Sequence, residues 1–71
     1  MTMPDWQERV IIERHQLNEK VTKLGTFLDS AVVRGIVPHD LALLRVQHNA
    51  MSTYLAVLDE RIALFDGITE G

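Results

Sequence analysis

The sequence predicts an all-α fold: an antiparallel hairpin of two long helices that assembles into a homo-oligomeric helical bundle. Two apolar stripes advance in steps of three and four residues, which is the spacing of one face of a helix. A connection that contains Gly35 and Pro38 separates them. The chain has 71 residues and no cysteine, and so short a domain buries little surface by itself. We therefore expect one domain, residues 1–71, that gains stability by self-association.

The first helix is predicted from about residue 4 to about residue 29. Thr2 can cap its first turn. Its stripe contains one polar position, at Glu13 or Arg14. The apolar members of this stripe are Trp6, Val10, Leu17, Val21, Leu24 and Leu28. Residues 10–12 are all apolar, so one partner helix cannot cover this part of the chain, and a second interface is indicated.

The connection is predicted at about residues 30–37, with Gly35 as the helix breaker. It is too apolar for a bare loop, so we expect it to be covered by the end of the hairpin or by a neighbouring subunit. The second helix is predicted from about residue 38 to about residue 66, with Gly67 just beyond its end. Its stripe is Leu41, Leu44, His48, Met51, Leu55, Leu58, Ile62 and Phe65.

A short connection makes the two helices antiparallel neighbours. With the turn centred near Arg34, Trp6 should fall near Ile62. The same register places Arg14 near Tyr54 or Leu55. Two helices make a thin core, so we expect an assembly of two to six copies, with a tetramer favoured.

Composition and charge exclude several classes of protein. The net charge is −3 and no basic patch is visible, so binding to DNA or RNA polymers is not expected. A small anion remains a possible ligand, because it needs only two or three cations. No apolar run approaches the ~20 residues of a membrane span, and the first residues lack the features of a signal peptide. We expect a soluble, cytosolic protein without membrane association.

Catalytic and metal-binding constellations are not recognisable. Asp59 and Glu60 are adjacent and point about 100° apart on a helix. The four glycines are scattered, so no phosphate-cradling loop is present. The three histidines lack the spacing of a metal site. The chain is interpreted as a non-enzyme with no metal and no cofactor.

Two polar features have more than one interpretation. His48 in the apolar stripe could be a buried imidazole that specifies register, or a ligand contact. Arg14 near Tyr54, with Gln47 and Lys20 on nearby turns, could bind a phosphate and stack on a base. The competing interpretation is a solvated face of ion pairs one turn apart, namely Arg9–Glu13 and Glu19–Lys23.

The sequence also resembles a large family of small phage and prophage proteins. Their pattern is roughly E-R-V, an acidic position, L-x-x-K-x-x-K-L-x-x-F, a variable connection, and L-L-x-x-Q-x-x-x-M-x-x-Y-x-x-x-L-x-x-R-I. The matching residues are Glu8, Arg9, Val10, Glu13, Leu17, Lys20, Lys23, Leu24, Phe27, Leu43, Leu44, Gln47, Met51, Tyr54, Leu58, Arg61 and Ile62. The polar matches are the informative ones, because packing alone does not require them.

This family is similar to small helical phage proteins that oligomerise and act as sponges for the cyclic nucleotide signals of bacterial defence systems such as CBASS. The resemblance implies an immune-evasion protein of the host cytoplasm that sequesters a cyclic dinucleotide between its subunits. The residues it implies as ligand contacts are Arg9, Lys20, Gln47, Tyr54 and Arg61. The alternative is a non-catalytic coiled-coil module, structural or adaptor, that binds a host or phage protein.

Overall fold

The chain forms a helical hairpin of 52 × 16 × 15 Å. The structure, a computed structural model, describes the backbone of residues 4–70 and the side chains of residues 4–65. It contains helix α1 (Asp5–Leu28), a short 3-10 helix (Ala31–Gly35) and helix α2 (Pro38–Glu70). Within this range there is no strand, so the predicted helical hairpin is confirmed.

Helix α1 begins after Pro4, whose carbonyl oxygen accepts hydrogen bonds from the N–H groups of Gln7 and Glu8. Asp5 and Glu8 occupy the first turn, where their negative charges interact favourably with the positive end of the helix dipole. The predicted cap, Thr2, lies outside the described residues. At the other end, both the N–H and the Oγ of Ser30 donate to the carbonyl oxygen of Phe27, at 3.0 and 2.6 Å.

The connection is only partly covered by the hairpin itself. Its 3-10 helix ends at Gly35, and extended backbone at Ile36 leads into α2. Val33 and Ile36 are half-buried, but Val32 and Val37 are each 63% exposed. The hairpin end therefore does not cover these two valines, because a short 3-10 helix can pack only one of its sides against the ends of α1 and α2.

Helix α2 continues to Glu70, so the predicted end near Asp66 is wrong. Gly67 costs a helix about 1 kcal/mol relative to alanine, but its N–H and carbonyl groups can still join the helical hydrogen bonds. Among the described residues, neither helix contains an apolar segment of the length needed to span a membrane.

The best-packed region lies at the open end of the hairpin, away from the connection. Val10, Leu58 and Phe65 are buried there, and Leu17 and Ile62 pack against them. The ring of Trp6 meets that of Phe65 edge to face, with their centroids 5.1 Å apart. Trp6 was expected beside Ile62; its ring partner is the next residue of the α2 stripe.

Candidate ligand-binding face

The two sides of the hairpin carry different polar contacts. Successive residues of a helix point about 100° apart, so Glu13 and Arg14 diverge to opposite sides of the apolar seam. Glu13 contacts Tyr54, whereas Arg14 contacts Asp59. We call the side with Glu13 and Tyr54 the Tyr54 edge, and the side with Arg14 and Asp59 the Arg14 edge.

Arg14 was expected near Tyr54 or Leu55; its side chain contacts Asp59, and the Tyr54 hydroxyl contacts Glu13 instead. The Nε atom of Arg14 lies 2.6 Å from Oδ1 of Asp59, with both side chains partly exposed. The hydrogen bond to Asp59, followed by that residue's negative charge, raises the pKa of Arg14 above its usual value. Arg14 is thus engaged in a contact between the helices and is not positioned to reach a ligand at Tyr54.

Tyr54 is held in place on the opposite edge. Its hydroxyl donates a hydrogen bond to Oε2 of Glu13, and 42% of the residue remains exposed. The hydrogen bond to Glu13 is the main reason why the pKa of Tyr54 is raised, with smaller contributions from burial and from the charge of Glu13. The positive charge of Arg61 acts in the other direction and lowers this pKa.

Three of the five predicted ligand residues form one row along α2. Gln47, Tyr54 and Arg61 are seven residues apart, so they project in nearly the same direction at intervals of about 10.5 Å. All three are exposed. The Gln47 amide makes a weak contact, 3.9 Å, with the sulfur of Met51. The row presents an amide, a phenol ring and a guanidinium on the Tyr54 edge.

The two remaining predicted residues lie on α1, on the same edge. Arg9 is one turn before Glu13, and Lys20 is two turns after it; both spacings keep a side chain on the same side of a helix. Both residues are exposed. The structure thus brings all five predicted residues to one side of the hairpin.

The cations of this edge are not neutralised within the described residues. The ion pairs found among residues 4–65 are Arg14–Asp59 and His15–Glu19. Arg9, Lys20 and Arg61 take part in neither. The ion pairs of the competing interpretation, Arg9–Glu13 and Glu19–Lys23, are not formed: Glu13 instead accepts the hydrogen bond of Tyr54, and Glu19 lies against His15.

His48 lies against α1, on the side away from Tyr54. A Cβ atom added to Gly25 would sit 3.1 Å from its Nε2 atom, so Gly25 leaves the space that the imidazole ring fills. His48 is half-buried. This position favours the packing interpretation of His48 over ligand contact at the Tyr54 edge.

Sequence reasoning missed the role of Glu13, the residue that fixes Tyr54. The available signal was the polar position in the α1 stripe, which left Glu13 and Arg14 as alternatives.

Among the residues described, no group of three or more His, Cys, Asp or Glu side chains could hold a metal ion. The arrangement offers exposed cations, an aromatic ring and an amide, which are groups that bind an anionic ligand.

Comparison with known protein families shows where the chain belongs. A family model described as Sequestin matches residues 4–64. The chain belongs to the Sequestin family. The Sequestin match spans α1, the connection and α2 as far as Leu64, and so includes all five candidate ligand residues. The name of the Sequestin family suggests a sequestering function. No curated protein and no solved structure matches the chain.

Proposed function

We propose that this chain is a phage protein that binds and sequesters a cyclic dinucleotide signal of bacterial defence, such as CBASS, between the subunits of a homo-oligomer. The observation that carries the proposal is the Tyr54 edge. It gathers Arg9, Lys20 and Arg61, none of them in an ion pair within residues 4–65, around an exposed aromatic ring. The family name is consistent with a protein that holds its ligand without changing it.

The chemistry of the edge fits a nucleotide with phosphates in a ring. Arg and Lys neutralise phosphate, and Arg can do so with two parallel hydrogen bonds. The phenol ring of Tyr54 can stack on a base, and the Gln47 amide can donate to and accept from a base edge. The net charge of −3 does not oppose this, because the three cations are concentrated on one side of the hairpin.

A second subunit is needed to turn this edge into a pocket. Ligand pockets in proteins are concave and bury most of the ligand, whereas one pair of helices offers an open surface. An assembly of hairpins encloses the ligand between neighbouring copies. We favour a tetramer, in which two or more such sites can form.

Binding of a panel of cyclic dinucleotides, followed by native mass spectrometry and calorimetry, tests the proposal. The purified protein should take up one class of cyclic dinucleotide at a fixed ratio to its subunits. Arg61→Ala and Tyr54→Ala should each abolish binding and leave the oligomer intact. Arg45→Ala is the matched control: Arg45 is exposed on the same helix but lies about 160° around it from Arg61, so binding should be unchanged.

Two results would contradict the proposal. If Arg61→Ala and Tyr54→Ala both bind as well as the unmodified protein, the ligand does not bind at the Tyr54 edge. If the unmodified oligomer takes up no member of the panel, sequestration of these nucleotides is wrong. A protein-binding adaptor is then the better interpretation, and capture of partners from host lysate is the next experiment.

A further inference from the structure

Helix α2 has a second apolar stripe that α1 does not cover. It consists of Leu43, Val46, Ala50, Val57, Arg61 and Leu64, which we call the outer stripe. Its four large apolar side chains are between 46% and 64% exposed. These residues recur at helical spacing on one face, and Arg61 can lay its aliphatic stem along such a surface. Several exposed apolar side chains on one face are typical of a surface that binds another protein.

The surface area of the chain indicates how much of it a partner must cover. A monomeric protein of 8.1 kDa is expected to expose about 4,500 Å², but this chain exposes 5564 Å². The excess of about 1,000 Å² is similar to the roughly 800 Å² that each partner buries in a standard protein interface. One copy of similar size, seated on one face, is enough to remove it.

The spacing of the residues in the outer stripe is the same from either end. The steps from Leu43 to Leu64 are three, four, seven, four and three residues. A symmetric row of this kind can pair with its own copy in the antiparallel direction about a twofold axis, so that each position meets a position of the same row. The axis then passes between Thr53 and Tyr54.

We propose that two copies of the chain pack their outer stripes together in antiparallel orientation, forming a four-helix bundle. Leu43 of each copy meets Leu64 of the other. Val46 meets Arg61, and Ala50, the small residue nearest the axis, meets Val57. Charge favours this orientation over the parallel one, because parallel pairing places the two Arg61 side chains side by side at the interface.

The pairing also completes the candidate ligand site, and in this respect it rests on the proposed function. Arg61 of one copy meets Val46 of the other, and Gln47 is the next residue after Val46, so the pairing brings Arg61 of one copy close to Gln47 of the other. Two equivalent sites result, each with a cation from one copy and an amide from the other. The two Tyr54 rings lie between these sites, near the axis.

Cysteine crosslinking tests the orientation directly, because the natural chain contains no cysteine. The double variant Leu43→Cys/Leu64→Cys should form a disulfide-linked dimer under oxidised glutathione. The two cysteines within one chain are about 31 Å apart along the helix, too far for a bond within the chain. Leu43→Cys alone, Leu64→Cys alone and Ile12→Cys, on the far side of α1, should each give at least tenfold less dimer.

A charge experiment supplies a second measurement that needs no thiol. Val46→Arg faces Arg61 of the other copy in the proposed pair, so it should weaken self-association at least tenfold in analytical ultracentrifugation. Adding Arg61→Glu should restore it. Val46 is 63% exposed, so the helical signal in circular dichroism should be unchanged in both variants.

Specific results would overturn the proposed pairing. Efficient crosslinking of Leu43→Cys alone would show a parallel pair, and a double variant that gives no more dimer than Ile12→Cys would exclude the outer stripe as the interface. Neither experiment contains a nucleotide. A crosslinked dimer that binds no cyclic dinucleotide therefore refutes the proposed function alone, and nucleotide binding without the crosslink refutes the pairing alone.

Discussion

The hydroxyl of Tyr54 in α2 donates a hydrogen bond to the carboxylate of Glu13 in α1. This contact joins the helices on the side that carries the candidate ligand residues, whereas Arg14 and Asp59 join them on the other side. The phenol ring is consequently fixed in direction although it is partly exposed. Such a ring can offer its face to a ligand without first losing the freedom of an unrestrained side chain.

Titration of Tyr54 should show this contact in solution. It is the single tyrosine of the chain, so the near-ultraviolet absorbance of tyrosinate reports it alone. The hydrogen bond to Glu13 raises the pKa of Tyr54, so the midpoint should lie above 10.0. Glu13→Ala should lower the midpoint, whereas Glu19→Ala, which removes an exposed carboxylate paired with His15, should leave it unchanged. Equal midpoints in the unmodified protein and Glu13→Ala would contradict the contact.

The same shift has a defined effect on stability. The folded chain binds the phenolic proton more tightly than the unfolded chain does, because the pKa is raised on folding. The stabilisation is therefore fully present below the unfolded pKa, about 10, and is lost as the pH rises through the folded value. Urea unfolding at increasing alkaline pH should show this loss in the unmodified protein and less of it in Tyr54→Phe.

Replacement of Gly25 should reveal its contact with His48. Alanine gains up to about 1 kcal/mol over glycine inside a helix, but its Cβ would lie 3.1 Å from Nε2 of His48. Gly25→Ala should therefore stabilise the protein less in the natural background than in a His48→Ala background. Denaturant unfolding of the unmodified protein, the two single variants and the double variant gives the coupling energy between Gly25→Ala and His48→Ala. Equal gains in both backgrounds would show that the ring is not packed against Gly25.

Truncation of Leu58 should be the most damaging single change in the apolar core. Leu58 is 0% exposed and belongs to the buried cluster with Val10 and Phe65. Leu58→Ala should cost about 3 kcal/mol, from lost burial and the cavity left behind. Ile12→Ala is the control, because Ile12 is 55% exposed and lies outside the apolar stripe of α1; its cost should be less than about 1 kcal/mol. Similar losses in the two variants would place the core elsewhere.

Periodicity in the sequence predicted the helices and their direction because both depend on local signals. Apolar residues at steps of three and four specify which face of each helix is buried, and a short connection leaves the antiparallel arrangement as the simple solution. It was less informative about helix ends. Gly67 resembles a helix terminator, but a glycine lowers helix stability without preventing the helix from continuing.

The contacts of the polar residues were harder to predict, because they depend on the rotation and register of the two helices. Glu13 and Arg14 are adjacent in sequence, yet a small rotation of α1 decides which of them meets Tyr54. A shift of one helical turn similarly gives Trp6 the ring of Phe65 as its partner. The resemblance selected Arg9, Lys20, Gln47, Tyr54 and Arg61 by type, and the structure adds that they share one edge.

The buried cluster at the open end of the hairpin has a consequence for folding. The residues that pack most tightly, Val10 with Leu58 and Phe65, are separated by most of the chain, whereas residues near the connection are only half-buried or exposed. A chain that pairs its helices progressively from the connection must order many weakly packed residues before it gains its most stabilising contacts. A chain that forms those contacts first must close a long loop, which also carries an entropic cost. Hairpins in which only part of the two helices has paired are therefore poorly stabilised. The chain should populate an open form or a fully closed one, with little in between.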